Sequence, residues 1–373
     1  MMELIEKKQT KPENLKGNQP RYVQLAEALR LQILNRELAV GDRLPSFAEF
    51  RSRHGVTLTT TEKVYSLLEQ EGLIERRHGV GTFVAQPKQS FTGNIGYIGS
   101  AISGERLNPF RALLIAGVHQ KIDEQERHLL YLGTGRNLKA QAIEKVDGVL
   151  ICNIEDTPSI IRQLPADLPR VSLLNVAKDT ISVVADDVGG ARRAVEELLE
   201  LGHRRIACLM ERLPSLARQR LSGYYDAMLG AGIEPDSRWM RLTDTVPPSV
   251  SVQQPYVEWG RREMRDWIAS NWQELGCTAI VVQNEQAAIG VLQVLQEMGI
   301  QVPQQVSVIG FDGTEMCEMM IPRLSTIQLP LAEIGAKGVE ILTHLIEGEA
   351  PQSQMIVLPV HLHEGDSMAP PCL

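Results

Sequence analysis

The first ninety residues constrain the fold most, because three short helical patterns are followed there by a basic, glycine-rich turn between two apolar runs. Residues 22–33 repeat apolar side chains at helical spacing. A second helix is predicted over Phe47–His54, and Gly55 makes a tight turn after it. Thr59 and Glu62 have the spacing of a capping box at the start of a third helix. This order predicts a small module of three helices and a two-stranded hairpin.

The third helix separates into a buried and an outward side. Its apolar residues predict the buried side, and the residues on or near the outward side are Leu58, Thr59, Glu62, Lys63 and Ser66. Residues 20–85 resemble the GntR-type winged helix-turn-helix in the segments GDRLPS, VTLTT and EGLIERRHGVGTFV. The resemblance implies that the third helix faces the major groove of duplex DNA.

The resemblance also implies which residues contact DNA. Phosphate contacts are expected from the threonines and the wing, with the wing tip near the minor groove; the candidates are Thr59, Thr60, Lys63, Arg76, Arg77, His78 and Gly79. Members of the family commonly carry Arg where this chain has Ala48, Leu58 and Glu62. Glu62 can instead accept a hydrogen bond from a cytosine amino group. The chain therefore either reads a different operator or binds weakly. Each of these residues alone also fits a structural role.

Charge is divided unevenly along the chain. The net charge of −8 consists of +3 in residues 1–88 and −11 in the remainder. A module with this small positive charge gives modest electrostatic affinity for DNA, so dimerisation is expected to supply much of the binding.

Several classes of protein are disfavoured. No apolar run reaches the length of a membrane span, and the first residues lack the apolar core of a secretory signal, so a cytoplasmic protein is expected. Five scattered cysteines predict reduced thiols. His361 and His363 share one face of a strand pattern without a third ligand, so no metal is expected. No motif for a cofactor or a nucleophile is present, which disfavours the alternative of an enzyme. The missing secretory signal and the winged-helix pattern disfavour the alternative of a ligand carrier.

The remainder of the chain alternates short apolar runs with amphipathic helical stretches, which predicts doubly wound parallel sheets in two lobes. The fold class is therefore α/β, with an N-terminal winged helix-turn-helix. The predicted organisation is a flexible N-terminal segment, a DNA-binding domain, a linker, a two-lobed effector-binding and dimerisation domain, and a tail; the corresponding residues are 1–19, 20–85, 86–92, 93–365 and 366–373.

Several predicted strands end at polar residues, namely Ser100, Asn153, Asn175, Glu211, Asn284 and Asp312. Ligands of open α/β sheets bind beyond the carboxyl ends of the strands. Asp312 can accept from two hydroxyls, Asn284 can donate and accept, and Arg220 lies near the apolar edge of its helix. Each has a structural alternative: a turn at Asp312-Gly313, a helix cap at Asn284 and a surface position for Arg220.

Residues 93–363 resemble the LacI/GalR-type effector domain, which is similar to periplasmic sugar-binding proteins, in segments such as VVADDVGGARRAVEELLELGHRRIACL and VSVIGFDG. The resemblance implies that Arg220 and Asp312 hold ligand hydroxyls beside Asn284, with Phe110 and Arg111 at the pocket mouth. The combination of domains is similar to that of arabinose-type repressors. We therefore expect a homodimeric repressor that binds palindromic, double-stranded operator DNA and responds to a sugar or a nucleoside. Whether the effector releases or promotes DNA binding stays open.

Overall fold

The structure is a computed structural model that describes residues 20–35, 37–77, 79–85, 91–99, 109–134, 138–152, 157–212, 215–243, 255–349 and 353–372. The chain divides between Phe91 and Thr92 into two compact units.

In the first unit, the described residues form three helices and one antiparallel hairpin, namely α1 (Arg21–Leu34), α2 (Phe47–His54), α3 (Leu58–Gln70), β1 (Ile74–Arg77) and β2 (Gly81–Val84). A complete capping box starts α2, because the Ser46 hydroxyl accepts from the Glu49 amide and the Glu49 carboxylate accepts from the Ser46 amide. Gly55 ends this helix with a φ of 63°, a left-handed conformation that glycine adopts without strain. Phe50 and Tyr65 pack in the core between the helices.

The start of α3 differs from the prediction. Thr57 caps the helix, because its hydroxyl accepts from the amide of Thr60 at 3.2 Å. Thr57 has the extended backbone of an N-cap, with a ψ of 164°, whereas Thr59 already lies inside the helix. The predicted capping box of Thr59 and Glu62 is therefore wrong, and both side chains are left on the outside of the helix.

The described part of the second unit is built on two six-stranded sheets. The first sheet has the strand order β4-β3-β5-β6-β7-β13, with strands β3 (Asn94–Gly99), β4 (His128–Gly133), β5 (Gly148–Cys152), β6 (Arg170–Leu173), β7 (Ile181–Ala185) and β13 (Met355–Leu358). The second has the order β9-β8-β10-β11-β12-β14, with strands β8 (Ile206–Glu211), β9 (Met240–Thr243), β10 (Ala279–Val282), β11 (Ser307–Asp312), β12 (Ser325–Gln328) and β14 (His361–His363). Every neighbouring pair is parallel except β12 with β14. This is the doubly wound arrangement predicted for each lobe.

The helices that cover these sheets are α4 (Pro109–Glu124), α5 (Ala140–Ile143), α6 (Thr157–Gln163), α7 (Asp187–Glu200), α8 (Ser215–Gly230), α9 (Pro255–Ser270), α10 (Trp272–Leu275), α11 (Glu285–Glu297) and α12 (Leu331–Ile346). The long helices pack in the pairs α4 with α12, α7 with α8, and α9 with α11. Glycines allow the close approach. A Cβ added at Gly117 would lie 1.9 Å from the carbonyl oxygen of Ala332, and one at Gly335 would lie 2.2 Å from that of Leu114.

The chain passes between the two sheets at three points, from β7 to α7, from β12 to α12 and from β13 to β14. Helix α12 packs on β5, β6 and β7. The first lobe, on the first sheet, therefore combines the described residues between 92 and 185 with those between 331 and 358. The second lobe combines the described residues between 187 and 328 with those from 361 to 372.

Residues beyond 365, which the sequence places in a tail, pack in the second lobe. Ser367 is fully buried and donates to the carbonyl oxygen of Val308 at 2.6 Å. The Ala369 carbonyl lies 2.9 Å from Nε2 of the buried His203. Within the described ranges, no helix is long and apolar enough to cross a bilayer. The same ranges contain no cluster of three or more His, Cys, Asp or Glu suited to a metal ion.

Candidate DNA-binding face and effector site

The outward side of α3 begins in its first turn. Leu58 is the first residue of the helix and 51% exposed, and Thr59 and Glu62 are exposed beside it. Lys63 is exposed at the neighbouring position and its ammonium lies 5.5 Å from the centre of the Tyr22 ring. Because Thr61, Val64, Tyr65 and Leu68 form the buried side, this surface faces away from the core of the unit.

Thr60, a candidate for DNA contact, takes part in the N-terminal cap of α3. Its hydroxyl lies 2.9 Å from that of Thr57, and its side chain is half-buried. Its hydroxyl therefore has to be shared between the cap and any phosphate.

Arg76 holds the wing to α3, whereas Arg77 interacts within the wing. Arg76 donates to the Ser66 hydroxyl at 3.0 Å and pairs with Glu69 at 3.0 Å, so its guanidinium lies along α3. Arg77 pairs with Glu75 at 2.5 Å and lies 4.8 Å from the centre of the Phe83 ring. The exposed Gly79 forms the turn with a φ of 74°. His78 lies outside the described residues. Arg77 is the more exposed of the two arginines, at 57% of its side chain.

The second unit gathers charged side chains near the carboxyl ends of β8, β10 and β11. In the second sheet, β8 lies between β9 and β10, so the strand order reverses there, and such switch points bind ligands in open α/β sheets. Arg220 from α8 reaches this edge with no exposed surface. Its Nε donates to Oδ1 of Asp187 at 2.7 Å, its Nη1 donates to the carbonyl oxygen of Gln283, and its guanidinium lies 4.1 Å from the centre of the Phe311 ring.

One donor of this guanidinium remains unused. Nη2 of Arg220 is buried and has no hydrogen-bond partner among the described residues. A buried donor without a partner is costly, so such groups in native proteins point to an absent ligand or water. The surface alternative considered for Arg220 is incompatible with this burial.

Asp312 ends β11 next to Arg220 and is 8% exposed. Its φ of 103° is a conformation that few residues other than glycine adopt, and strain of this kind concentrates at functional sites. Burial raises the pKa of Asp312 well above its usual range, while the Arg220 guanidinium opposes that shift. Burial also raises the pKa of Asp187, again against the effect of Arg220. One guanidinium therefore serves two buried carboxyl groups.

Asn284 is a helix cap, as its structural alternative predicted, and its side chain also keeps an amide that the cap does not use. It caps α11, where its Oδ1 accepts from the Ala287 amide at 2.8 Å. That bond leaves the Nδ2 amide, which has no partner among the described residues. The neighbouring Gln283 is fixed by the Glu211 amide at 2.5 Å and the Glu211 carboxylate at 2.6 Å.

Glu285 forms a structural anchor beside this edge. It is 1% exposed and accepts from the Thr314 amide at 2.9 Å, the Thr314 hydroxyl at 2.5 Å and the Cys317 thiol at 3.3 Å. These bonds hold the segment that follows Asp312 against α11.

The first lobe contributes fewer described candidates. Phe110 and Arg111 lie half-buried in the first turn of α4. Asn175 is half-buried and donates to the hydroxyl of the buried Thr157 at 3.4 Å. Asn153 lies outside the described residues. Burial raises the pKa of Tyr97, which lies fully buried in the first lobe.

Sequence reasoning missed the partners of Arg220. Asp187 is the second of two aspartates directly after β7, and Asp186 caps α7 by accepting from the Gly189 amide at 2.8 Å. The pair of aspartates was a usable signal, since one residue suffices for a cap and the other is free to point at the strand ends. Gln283, one residue before Asn284, carried no comparable signal.

Comparison with known proteins follows the same division of the chain. Residues 21–84 match the gntR family of bacterial regulatory proteins, and residues 195–368 match the periplasmic binding protein-like domain. The ribose operon repressor of Escherichia coli strain K12 is 30% identical over 70% of this chain and 79% of its own length. The chain belongs to the bacterial transcriptional regulators that join a GntR-type winged helix to a periplasmic-binding-protein-like domain.

Other regulators extend the similarity over most of the chain. The transcriptional regulator DegA of Bacillus subtilis is 27% identical over 85% of this chain and 96% of its own length. The arabinose metabolism transcriptional repressor of Geobacillus stearothermophilus is 25% identical over 88% of this chain and 92% of its own length. The fold is shared with the transcriptional regulator CelR–cellobiose complex, with a TM-score of 0.61, 23% identity, and coverage of 84% of this chain and 91% of that one. Like these relatives, the chain is a DNA-binding transcriptional regulator and not an enzyme, which confirms the predicted fold class and the predicted role in transcription regulation.

Proposed function

We propose that this regulator represses a sugar operon as a cytoplasmic homodimer and that its effector is a sugar bound beside Arg220 and Asp312. The observation that carries the effector site is the unused buried Nη2 donor of Arg220 at the switch point of the second sheet. A guanidinium and a carboxylate together offer donors and acceptors to the hydroxyls of one sugar ring. The names of the ribose and arabinose repressors and of the cellobiose complex support this class of ligand.

The remaining effector contacts are assigned by position. Asn284 offers its free amide next to Asp312 in the second lobe. Phe110, Arg111, Asn153 and Asn175 are assigned to the side of the first lobe, as strand-end or first-turn residues of that lobe. Binding between the lobes would favour one lobe arrangement, and the effector changes DNA affinity only through its difference in affinity for the two arrangements.

DNA binding is assigned to the first turn of α3 and to the wing, through Thr59, Thr60, Glu62, Lys63, Arg76, Arg77, His78 and Gly79. The exposed Arg77 is the main phosphate contact that we assign to the wing. Arg77→Ala should weaken binding to all duplexes by a similar factor and reduce its salt dependence, because a phosphate contact carries no sequence information. Retained affinity and salt dependence would remove the wing from the interface.

Dimerisation is assigned to an exposed apolar surface on the second lobe. Ile321 is 94% exposed and Met319 is 76% exposed, while Met298 at the end of α11 is 48% exposed. Ile321 also lines a cavity of about 650 Å³, together with Leu292 and with Gly299, the residue that follows Met298. Large exposed apolar groups that cluster in this way are typical of protein interfaces. A two-fold dimer would present two winged helices to a palindromic operator.

The dimer is tested by sedimentation of the full chain. Ile321→Asp should give monomers at concentrations where the wild type is dimeric. Leu229→Asp is the matched control, because Leu229 is 56% exposed on α8 of the same lobe and lies outside the proposed surface. Equal sedimentation of the Ile321 variant and the wild type at all concentrations would reject this surface.

The effector class is tested by a thermal-shift screen of neutral monosaccharides, sugar phosphates and nucleosides. A sugar should raise the unfolding temperature and remain chemically unchanged, and it should alter the affinity for a duplex selected by the protein. Asp312→Ala should abolish that response while leaving duplex binding intact. Stabilisation by nucleosides alone would replace the sugar in the proposal, and turnover of the ligand would restore the enzyme alternative.

A further inference from the structure

The part of α3 that enters the groove has an unusual composition for a surface that meets nucleic acid. Its exposed first-turn positions hold a large apolar residue, Leu58, and a small polar residue, Thr59, followed by the acidic Glu62. None of these can donate the paired hydrogen bonds with which arginine recognises guanine. These side chains must therefore recognise bases through contacts other than the arginine–guanine pair.

Leu58 and Glu62 lie next to each other on the surface. They are four residues apart on one helix, so their side chains lie on the same face, one turn apart. Leu58 exposes 51% of its surface although Val64, Tyr65 and Leu68 of the same helix are fully buried. The N-terminal residues of a recognition helix are those that contact base edges. An exposed leucine at that position has no core to enter and is available to an apolar group in the groove.

Glu62 is free to accept a hydrogen bond. It forms no hydrogen bond or ion pair with a described residue. Neither arginine of the wing pairs with Glu62, because Arg76 pairs with Glu69 and Arg77 pairs with Glu75. The carboxylate thus keeps its charge uncompensated by these arginines. Against a guanine it would face the O6 and N7 acceptors and be repelled, whereas a cytosine offers an N4 amino donor.

We propose that Leu58 contacts the methyl group of a thymine and that Glu62 accepts a hydrogen bond from the amino group of a nearby cytosine, so that each half-site is recognised through pyrimidines in place of guanines. This inference rests on the proposed binding of duplex DNA by α3. Backbone contacts from Lys63 and the wing supply affinity without sequence preference, and the two α3 side chains supply the preference.

The experiment starts with selection of duplexes from a randomised library by the full chain. The enriched half-site should contain a thymine and a cytosine within a few base pairs of each other. Replacing that thymine with deoxyuridine removes the methyl group alone and should weaken wild-type binding by at least about fivefold. Leu58→Ala should bind the thymine and deoxyuridine duplexes equally. Glu62→Gln should lose at least about tenfold of the preference for cytosine over guanine at its position.

Leu31→Ala is the matched control, because Leu31 is 46% exposed on α1 of the same unit. It should keep the full effect of deoxyuridine. Leu58→Thr, which retains a methyl group, should recover part of the discrimination. The inference is overturned if deoxyuridine is tolerated at every thymine, or if the Leu58 and Glu62 variants retain the wild-type base preferences. Failure to enrich any duplex would instead reject DNA binding by α3, and the base assignments with it.

Discussion

Removal of the Arg220 guanidinium should strongly destabilise the second unit. Arg220→Met keeps an unbranched apolar side chain that extends about as far as Nε of the arginine, but it leaves Asp187 and Asp312 buried without their counter-charge. The charges of Arg220 and Asp187 are 2.7 Å apart, which corresponds to an attraction of about 6 kcal/mol at an effective dielectric constant of about 20. Part of this is offset because the cost of burying the guanidinium disappears. The expected net loss is about 3–5 kcal/mol.

The pH dependence of this loss has a definite sign. Burial already raises the pKa of both carboxyl groups in the folded protein, and the guanidinium is the group that opposes the shift. Without Arg220 the folded-state pKa values rise further above those of the unfolded chain. Carboxyl groups with raised folded-state pKa values destabilise the fold at pH values above the unfolded value of about 4, and this destabilisation disappears as the pH falls below it. The deficit of Arg220→Met should therefore be larger at pH 8 than at pH 5.

Urea-induced unfolding, followed by the fluorescence of the buried Trp259 and Trp267, measures both quantities. Arg193→Met is the matched control, because Arg193 is a partly exposed arginine on α7 that also pairs with acidic residues. Its loss should be below about 1 kcal/mol. Adding Asp187→Leu to Arg220→Met should recover a large part of the stability. A single Arg220 variant within about 1 kcal/mol of the wild type at pH 8 would refute the view that this guanidinium holds two buried charges.

Three further predictions concern other sites. Asp312→Asn removes a buried charge that serves ligand binding. It should therefore raise the free energy of unfolding by about 0.5–2 kcal/mol in urea at pH 7.5 and abolish the effector response. A lower free energy of unfolding would contradict this. Burial lowers the pKa of His203 in the folded protein, whereas this histidine in the unfolded chain protonates near pH about 6.5. The free energy of unfolding should therefore be greatest above this pH and decrease below it. His203→Gln should flatten this decrease in unfolding curves from pH 7.5 to 5. Gly335→Ala should cost about 1–3 kcal/mol, because its Cβ would lie 2.2 Å from the Leu114 carbonyl oxygen, whereas Gly230→Ala, with nothing within 4 Å, should be neutral or stabilising in the same assay.

Much of the fold was predictable because local signals and tertiary structure agree. The bounds of α2 match the prediction, since Ser46 and Gly55 are start and stop signals that need no distant partner. The cap of α3 was misassigned because four threonines occur between residues 57 and 61, and backbone geometry alone selects Thr57. Strand β9 has only two apolar residues, Met240 and Leu242, and they alternate with polar residues, so no apolar run indicates this strand in the sequence.

The candidate effector site was predictable in part. Helical periodicity places Arg220 near the apolar edge of its helix and leaves a surface position as the alternative, and the full burial of Arg220 decides against the surface position. Its partner Asp187 lies 33 residues earlier on another helix, and no local pattern connects the two. For Asn284, the sequence could not separate a helix cap from a ligand contact, because one side chain can do both: its Oδ1 caps α11 and its Nδ2 amide is left over. The strained backbone of Asp312 also has no signature in the sequence beyond the glycine that follows it.

The three passages of the chain between the lobes have a consequence for synthesis. The first lobe needs α12 and β13 to cover its sheet, yet these elements end at Leu358, after the second lobe has been translated up to β12. Strand β7 therefore leaves the ribosome with its outer edge unpaired, because its partner β13 is synthesised only after more than half of the second unit has followed. Neither lobe is a contiguous segment that can be expressed by itself, and a chain truncated before α12 would expose apolar sheet surface and depend on chaperones.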